Sequence, residues 1–244
     1  MSLQYQNDDE PQLETPERQA AAPAGYPLYT ILLIAGTVAV FVAQTAAGLD
    51  RSILLAGFVK PAFRANHEYW RILTGATTHG GIAHIAMNCY AFYNIGSILE
   101  MVSNRAQLAI VFLLSALGGG VLSLMFMPDG TSVGASGGIV GLIGYLAIYS
   151  FRRRQFISAA FRKNILMNIG FMLVFGLVLY QVIDNFGHVG GLITGGVYGL
   201  LQIPSDPHAD PREAGSVFEF IGIGAVGVYL AACAFSILLI FRIV

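Results

Sequence analysis

Charged residues are scarce in this sequence. Aspartate, glutamate, lysine and arginine make up 11% of its 244 residues, whereas a typical soluble domain carries roughly 25%. Hydrophobic residues make up 55%. A folded chain with so few charged groups cannot cover its surface with polar side chains. The composition therefore excludes an ordinary soluble protein and predicts an integral membrane protein that is surrounded by the lipid bilayer.

The sequence also lacks a basic stripe, a clear cysteine pair and an acidic cluster near its histidines, and each absence excludes a kind of partner or site. The net charge is −1 and no stripe of basic and aromatic residues is present, so we expect no nucleic-acid partner. The two cysteines, Cys89 and Cys233, lie in separate apolar runs and predict packed thiols rather than a disulfide or a metal pair. No acidic residue clusters with His79 and His84, so we expect no metal and no cofactor.

Apolar runs long enough to cross a bilayer are abundant. Roughly 20 helical residues span the hydrocarbon core, and backbone polar groups in lipid must bond within their own segment. The sequence has seven such runs and therefore predicts seven transmembrane helices. They cover about residues 29–49, 82–101, 107–127, 136–149, 165–183, 186–203 and 218–240. The fourth run is short, but residues 133–151 hold no charge, so it is also able to span.

The spans divide the chain into four parts. Residues 1–26 are polar, acidic and proline-containing and lack the basic start of a signal peptide, which predicts a disordered cytoplasmic tail. A core of six transmembrane helices follows at 27–204. Residues 205–216 form a polar linker, and 217–244 contain one additional C-terminal transmembrane helix. The predicted fold class is an all-α polytopic membrane protein.

Basic residues are concentrated in one short loop. Residues 152–163 hold four arginines and one lysine, and cytoplasmic loops carry such an excess. We therefore expect this loop and the N-terminus to lie in the cytoplasm. The loop from Asp50 to His79 then lies outside although it holds four basic residues, but its length and its two acidic residues weaken its influence. In this orientation the second, fourth and sixth spans begin at the outer side.

Two polar residues lie at the starts of glycine-rich spans. Ser136 opens the fourth span in GASGGIVGLIG (134–144), and His188 lies near the start of the sixth. A lone serine usually bonds to helix backbone, and glycines usually serve helix packing. An ionisable residue inside a span, however, indicates a functional site with a partner. Close packing of these two helices would bring Ser136 and His188 within about 3 Å, as a nucleophile and its general base require.

The second span begins with HGGIAHIAMN (79–88), which supplies further candidates. His84 and Asn88 are four residues apart and so project from one face of a helix. Acyl transfer needs hydrogen-bond donors aimed at the developing oxyanion. An imidazole and an amide at this spacing, together with the backbone N–H of Ser136, are candidates for that role. All of these groups lie toward the same leaflet.

These residues, in this order, resemble the rhomboid family of intramembrane serine proteases. The resemblance covers about residues 70–199. It is carried by Trp70-Arg71, His79, His84, Asn88, Glu100, the segment 134–137, His188, Gly191 and Gly195. The sequence departs from the family at Val140, where an aromatic residue often follows the serine by four positions.

The resemblance implies a role for each candidate. Ser136 would be the nucleophile, His188 the general base, and His84 and Asn88 part of the oxyanion hole. The sixth span holds no acidic residue, which fits a dyad rather than a triad. The loop from Asp50 to His79 would lie partly within the membrane.

These features bear on three candidate functions. The first is a serine endopeptidase that cleaves transmembrane segments of single-span or polytopic membrane proteins near the outer leaflet of a bacterial cell membrane. The alternative is an inactive rhomboid-like protein that binds membrane helices, although such relatives usually lack the serine or the histidine. A transporter or channel would predict internal repeats and charges near the midplane, which this sequence lacks.

Overall fold

A computed structural model describes residues 26–206 and 208–244. The predicted disordered tail therefore lies outside the described residues, apart from its last position. In chain order the elements are α1 (Leu28–Ala47), α2 (Leu49–Ala56), β1 (Phe58–Val59), α3 (Lys60–Ala65), α4 (Arg71–Thr77), α5 (Ile82–Val102), α6 (Arg105–Phe126), β2 (Thr131–Ser132), α7 (Ser136–Arg152), α8 (Ala159–Val178), α9 (Asn185–Gln202) and α10 (Ser216–Ile240).

Long helices stand at all seven predicted spans, so the predicted polytopic helical fold is confirmed. They are α1 and α5 to α10. Among the helices that the structure describes, α1, α6, α8 and α10 are long and apolar enough to cross a membrane on length and composition alone. The other three, α5, α7 and α9, hold the predicted site residues. At 17 residues α7 is shorter than the roughly 20 that span a bilayer, and α5 and α9 hold polar residues and glycines that lower their hydropathy.

The fifth span differs most from its predicted limits. Its apolar run predicts a helix at 165–183, whereas α8 runs from Ala159 to Val178. Ser158 caps this helix, since its Oγ accepts a hydrogen bond from the N–H of Phe161 at 3.1 Å. Two basic residues, Arg162 and Lys163, are therefore part of the helix. Long basic side chains at a helix end reach the membrane interface, so their charge does not prevent a helical start there.

The segment between α1 and α5 is folded rather than an open loop. It forms α2, β1, α3 and α4, and β1 pairs antiparallel with β2, with Phe58 opposite Ser132. The buried guanidinium of Arg71 holds this segment together. Its Nη1 donates to the carbonyl oxygens of Leu54 at 3.1 Å and Gly57 at 2.8 Å.

Glycines allow α9 to pack directly on the backbone of its neighbours. A Cβ added to Gly191 would overlap the carbonyl oxygen of Gly137 in α7, and one added to Gly195 would overlap that of Gly141. Small residues at such positions let helix backbones approach closely. The close approach of the fourth and sixth spans predicted from their glycines is confirmed.

The last helix, α10, belongs to the same bundle. The Tyr229 hydroxyl is 2.8 Å from the Thr37 hydroxyl in α1 and donates to the carbonyl oxygen of Ala76 in α4 at 3.3 Å. The Ser236 hydroxyl is 2.8 Å from that of Thr77. These buried polar contacts attach α10 to both α1 and α4.

Candidate active site

Ser136 is the first residue of α7 and follows a constrained turn. Gly134 has φ +117°, a conformation that glycine adopts without strain. Its N–H donates to the carbonyl oxygen of Gly75 at 2.9 Å, which ties the turn to α4. Within residues 26–206 and 208–244, no side chain caps the start of α7. The N–H groups of its first turn, which starts at Ser136, therefore lack intrahelical partners.

His188 lies in the first turn of α9 and faces Ser136. The distance from His188 Nε2 to Ser136 Oγ is 2.8 Å. The Nδ1 atom of His188 is buried and has no hydrogen-bond partner among the described residues. When the ring proton is on Nδ1, Nε2 is free to accept the hydrogen bond of the serine hydroxyl. The structure thus brings together the two residues that the sequence predicts as nucleophile and base.

His84 and Ser136 both lie close to the Gly134 turn. A Cβ added to Gly134 would be 2.9 Å from His84 Nε2 and 3.8 Å from Ser136 Oγ. The Nδ1 atom of His84 accepts a hydrogen bond from the N–H of Gly80 at 3.3 Å. In a neutral imidazole the proton is then on Nε2, the nitrogen that lies beside Gly134. This arrangement fits a hydrogen-bond donor at the site.

Asn88 makes a hydrogen bond within its own helix. Its Nδ2 donates to the carbonyl oxygen of His84, one turn earlier in α5, at 2.9 Å. Its Oδ1 is buried without a hydrogen-bond partner in the described part of the chain. In this state one N–H of the amide is therefore bound to its own helix. The i, i+4 relation of His84 and Asn88 is as predicted, but it supports the helix as well as the site.

His79 lies behind His84 and is fully buried. The two rings are in edge-to-face contact with centroids 5.0 Å apart. Burial, together with the neighbouring His84, lowers the pKa of His79 to about 3, so its imidazole is uncharged near neutral pH. Gln44 of α1, which was not a sequence candidate, fixes the His79 backbone: its Oε1 accepts from the His79 N–H at 2.9 Å and its Nε2 donates to the His79 carbonyl at 3.1 Å.

Two further residues near the Ser136–His188 pair are not among the sequence candidates. Asp184 caps α9, with Oδ1 accepting from the Gly187 N–H at 2.8 Å, and Lys60 of α3 lies 3.9 Å from the Asp184 carboxylate. An aspartate directly before an apolar helical run is a helix-start signal, so the cap was detectable. The approach of Lys60 was not, because it depends on the tertiary fold.

A small cavity of about 50 Å³ lies beside the serine. Its lining includes Ser132, Gly137, Asp184 and both members of the Ser136–His188 pair. Such a volume holds one or a few water molecules. Val140, which stands where the family often has an aromatic residue, is buried and is not among the residues that line this cavity.

The fold is thus that of a polytopic helical membrane protein with a serine–histidine pair between two of its helices. Residues 66–205, more than half of the chain, match the Rhomboid domain family. The chain therefore belongs to the rhomboid family.

Similar proteins include one that is named a protease and one that is named inactive. The rhomboid protease GluP of Bacillus subtilis (strain 168) is 32% identical over 174 residues, which cover 70% of this chain and 34% of GluP. RHOMBOID-like protein 6, mitochondrial, of Arabidopsis thaliana is 33% identical over 145 residues, which cover 56% of this chain and 45% of that protein. Inactive RHOMBOID-like protein 8 of the same plant is 26% identical over 167 residues, which cover 68% of this chain and 48% of that protein. The matched regions thus span between about a third and a half of these relatives.

Proposed function

We propose that this protein is an intramembrane serine endopeptidase in which Ser136 is the nucleophile and His188 the general base. The observation that carries this proposal is the 2.8 Å separation of Ser136 Oγ and His188 Nε2 at the adjoining ends of α7 and α9. A serine hydroxyl is a weak nucleophile at neutral pH unless a base takes its proton. The histidine stands at the distance from which it can do so.

The proposed reaction has two stages. Ser136 Oγ attacks the carbonyl carbon of the scissile peptide bond while its proton moves to His188 Nε2. The tetrahedral intermediate then collapses: the C–N bond breaks, and the leaving amine takes the proton from His188. A water molecule repeats the sequence on the ester, with His188 again accepting and returning a proton, and frees Ser136.

The oxyanion of each tetrahedral intermediate needs donors near Ser136. The backbone N–H of Ser136 and the Nε2–H of His84 are the best placed, since His84 lies against the same turn. Asn88 serves as a third donor in this proposal. Its bond to the His84 carbonyl would hold His84 in place until substrate binds.

The substrates proposed are single-span or polytopic membrane proteins. A helix hides its amide groups in its own hydrogen bonds, so a segment has to unwind locally before Ser136 can attack it. Small or helix-breaking residues near the outer end of a span favour that step. The small, glycine-lined cavity beside Ser136 also favours a small residue at the cleaved position.

A non-catalytic role in binding membrane helices is the second candidate, since one relative is named inactive. The experiment that separates the two candidates is incubation of the detergent-purified protein with a single-span substrate. We expect cleavage by the wild type and none by Ser136→Ala. Ser115→Ala is the control, since Ser115 is a buried serine of α6 that packs against Gly141 of α7. It should cleave as the wild type does. Binding without cleavage by the wild type would favour the second candidate.

We also propose that the N-terminus is cytoplasmic and that the site opens toward the outer side of a bacterial cell membrane. The basic segment between α7 and α8 supports this orientation. In a variant lacking Cys89 and Cys233, Asp129→Cys should react with an impermeant thiol reagent in intact cells, whereas Arg154→Cys should not. The reverse labelling pattern would invert the proposed orientation.

A further inference from the structure

The carboxylate of Asp184 joins four segments of the chain. Its Oδ1 accepts from the N–H of Gly187 in α9 at 2.8 Å. Its Oδ2 accepts hydrogen bonds from the hydroxyls of Ser123 in α6 and Ser132 in β2. The ammonium of Lys60 in α3 lies 3.9 Å from the same oxygen. These are tertiary contacts between segments far apart in the sequence, not a local helix cap alone.

Two of these contacts lie next to the serine–histidine pair. Ser132 precedes Ser136 by four residues, and Asp184 precedes His188 by four. The carbonyl oxygen of Asp184 also accepts the backbone N–H of His188 at 3.1 Å. One residue therefore holds both the chain that enters α7 and the first turn of α9. A shift of either segment would change the 2.8 Å separation of Ser136 Oγ and His188 Nε2.

Lys60 places a positive charge beside the Asp184 carboxylate. Its side chain is fully buried, and its Nζ has no hydrogen-bond partner within the described residues. Burial lowers the pKa of Lys60, and the attraction of Asp184 acts against that change. A buried ammonium is costly unless an opposite charge compensates it. Removing the Asp184 charge therefore leaves an uncompensated cation beside the site.

We propose that Asp184 is a positioning residue for the dyad. By bonding β2, α6 and the start of α9 together, it sets the separation between Ser136 and His188, and Lys60 is its counter-charge. The inference rests on the proposed protease function. It gives Asp184 no contact with substrate and no part in proton transfer.

The test uses the full-length protein in detergent and a fluorophosphonate probe that reacts with an activated serine. For the wild type, Asp184→Ala and Asp184→Asn, we would measure the rate constant of labelling, the labelled fraction at completion, and kcat and KM for a single-span substrate. Asp184→Ala should lower the labelling rate constant and kcat at least about tenfold, because small misplacements of catalytic groups have effects of this size. The final labelled fraction should stay near that of the wild type, and KM should change less than about twofold.

Two control variants separate positioning from other effects. Asn104→Ala removes a cap of the same geometry at the start of α6, where Asn104 Oδ1 accepts from the Gln107 N–H at 2.8 Å. This cap lies at the other end of α6 from Ser123, the residue that bonds to Asp184. It should label at the wild-type rate. Asparagine is as good a cap as aspartate, so Asp184→Asn keeps the bond to the Gly187 N–H while it removes the charge and the oxygen that accepts from Ser123 and Ser132. Adding Lys60→Met to Asp184→Asn removes the uncompensated cation and should restore part of the lost rate.

The outcomes distinguish this inference from the proposed function. Suppose that the wild type is labelled and that Asp184→Ala has an unchanged labelling rate constant, or loses only labelled fraction. Either result would overturn the positioning role and leave the protease function standing. A wild type that is neither labelled nor active would overturn the protease function and this inference with it. If Asp184→Ala does not fold, the other variants decide. A wild-type rate in Asp184→Asn, or no recovery on adding Lys60→Met, would then contradict the inference.

Discussion

The helices α8 and α9 are neighbours in sequence and both are predicted as membrane spans, yet they meet their surroundings in opposite ways. α9 buries a row of glycines: Gly187, Gly190, Gly191, Gly195 and Gly199. Of the twenty residues of α8, all of them described, only Ile165 and Gly176 are buried. Large apolar side chains of α8 are exposed instead, Leu177 to 71%. Small residues mark contact with other helices, and large exposed ones mark contact with lipid.

The two helices also differ in whether they carry candidate site residues. Glycine packing brings the backbone of α9 onto α7, and His188 reaches Ser136 because of it. None of the candidate site residues lies on α8. The comparison therefore predicts that activity and stability are sensitive to changes in α9 and tolerant of changes on the exposed face of α8.

The largest effect is expected from His188→Ala. Without a base at Nε2, the Ser136 proton has no acceptor, and we expect cleavage to fall about a thousandfold or more. The midpoint of thermal unfolding should change little, because the imidazole has the serine as its one hydrogen-bond partner within the described residues. Leu177→Ala is the control on α8 and should cleave within about twofold of the wild type. Cleavage by His188→Ala within tenfold of the wild type would remove it from the reaction.

A smaller loss is expected in α5, which has both kinds of surface. Asn88 is buried near the site, whereas the adjacent Met87 is 61% exposed. We expect Asn88→Ala to slow cleavage about ten- to a hundredfold. Loss of an oxyanion donor costs roughly 100- to 1,000-fold elsewhere, and here His84 and a backbone N–H remain. Met87→Ala should have no measurable effect, and equal rates in the two variants would exclude Asn88 from the site.

The smallest effect is expected on stability, from single methyl groups. A Cβ at Gly195 of α9 would overlap a carbonyl oxygen of α7, whereas a Cβ at Gly170 of α8 meets nothing within 4 Å in the described structure. Gly195→Ala should lower the free energy of unfolding by about 1–3 kcal/mol, as overpacking does. Gly170→Ala should be neutral or stabilising by up to about 1 kcal/mol, because alanine is the better helix former. Equal unfolding midpoints would contradict the packing difference.

Much of this arrangement is predictable from local sequence features. The lengths of the apolar runs predict the seven long helices, and polar residues at the starts of glycine-rich runs predict that Ser136 and His188 face each other. The predicted start of α8 is wrong because the charges of Arg162 and Lys163 favour a loop, although Ser158 is a recognisable helix cap. The Lys60–Asp184 contact was not predictable, because it depends on how α3 folds back onto the bundle.

The short helices α2, α3 and α4 were not predicted either. They are too short to span a membrane, so hydropathy does not reveal them. Their positions follow from tertiary hydrogen bonds such as those of Arg71 to the carbonyls of Leu54 and Gly57. The role of Gln44 is hidden in the same way, since its partner is the backbone of His79.

The most direct test of the central claim is to locate the residue that a fluorophosphonate modifies. The claim is that the hydrogen bond between Ser136 and His188 activates the serine. Mass spectrometry of peptides from the labelled wild type should find the adduct on Ser136, and the His188→Ala variant should acquire none over the same period. An adduct on another serine, or equal labelling of Ser136 without His188, would contradict the account.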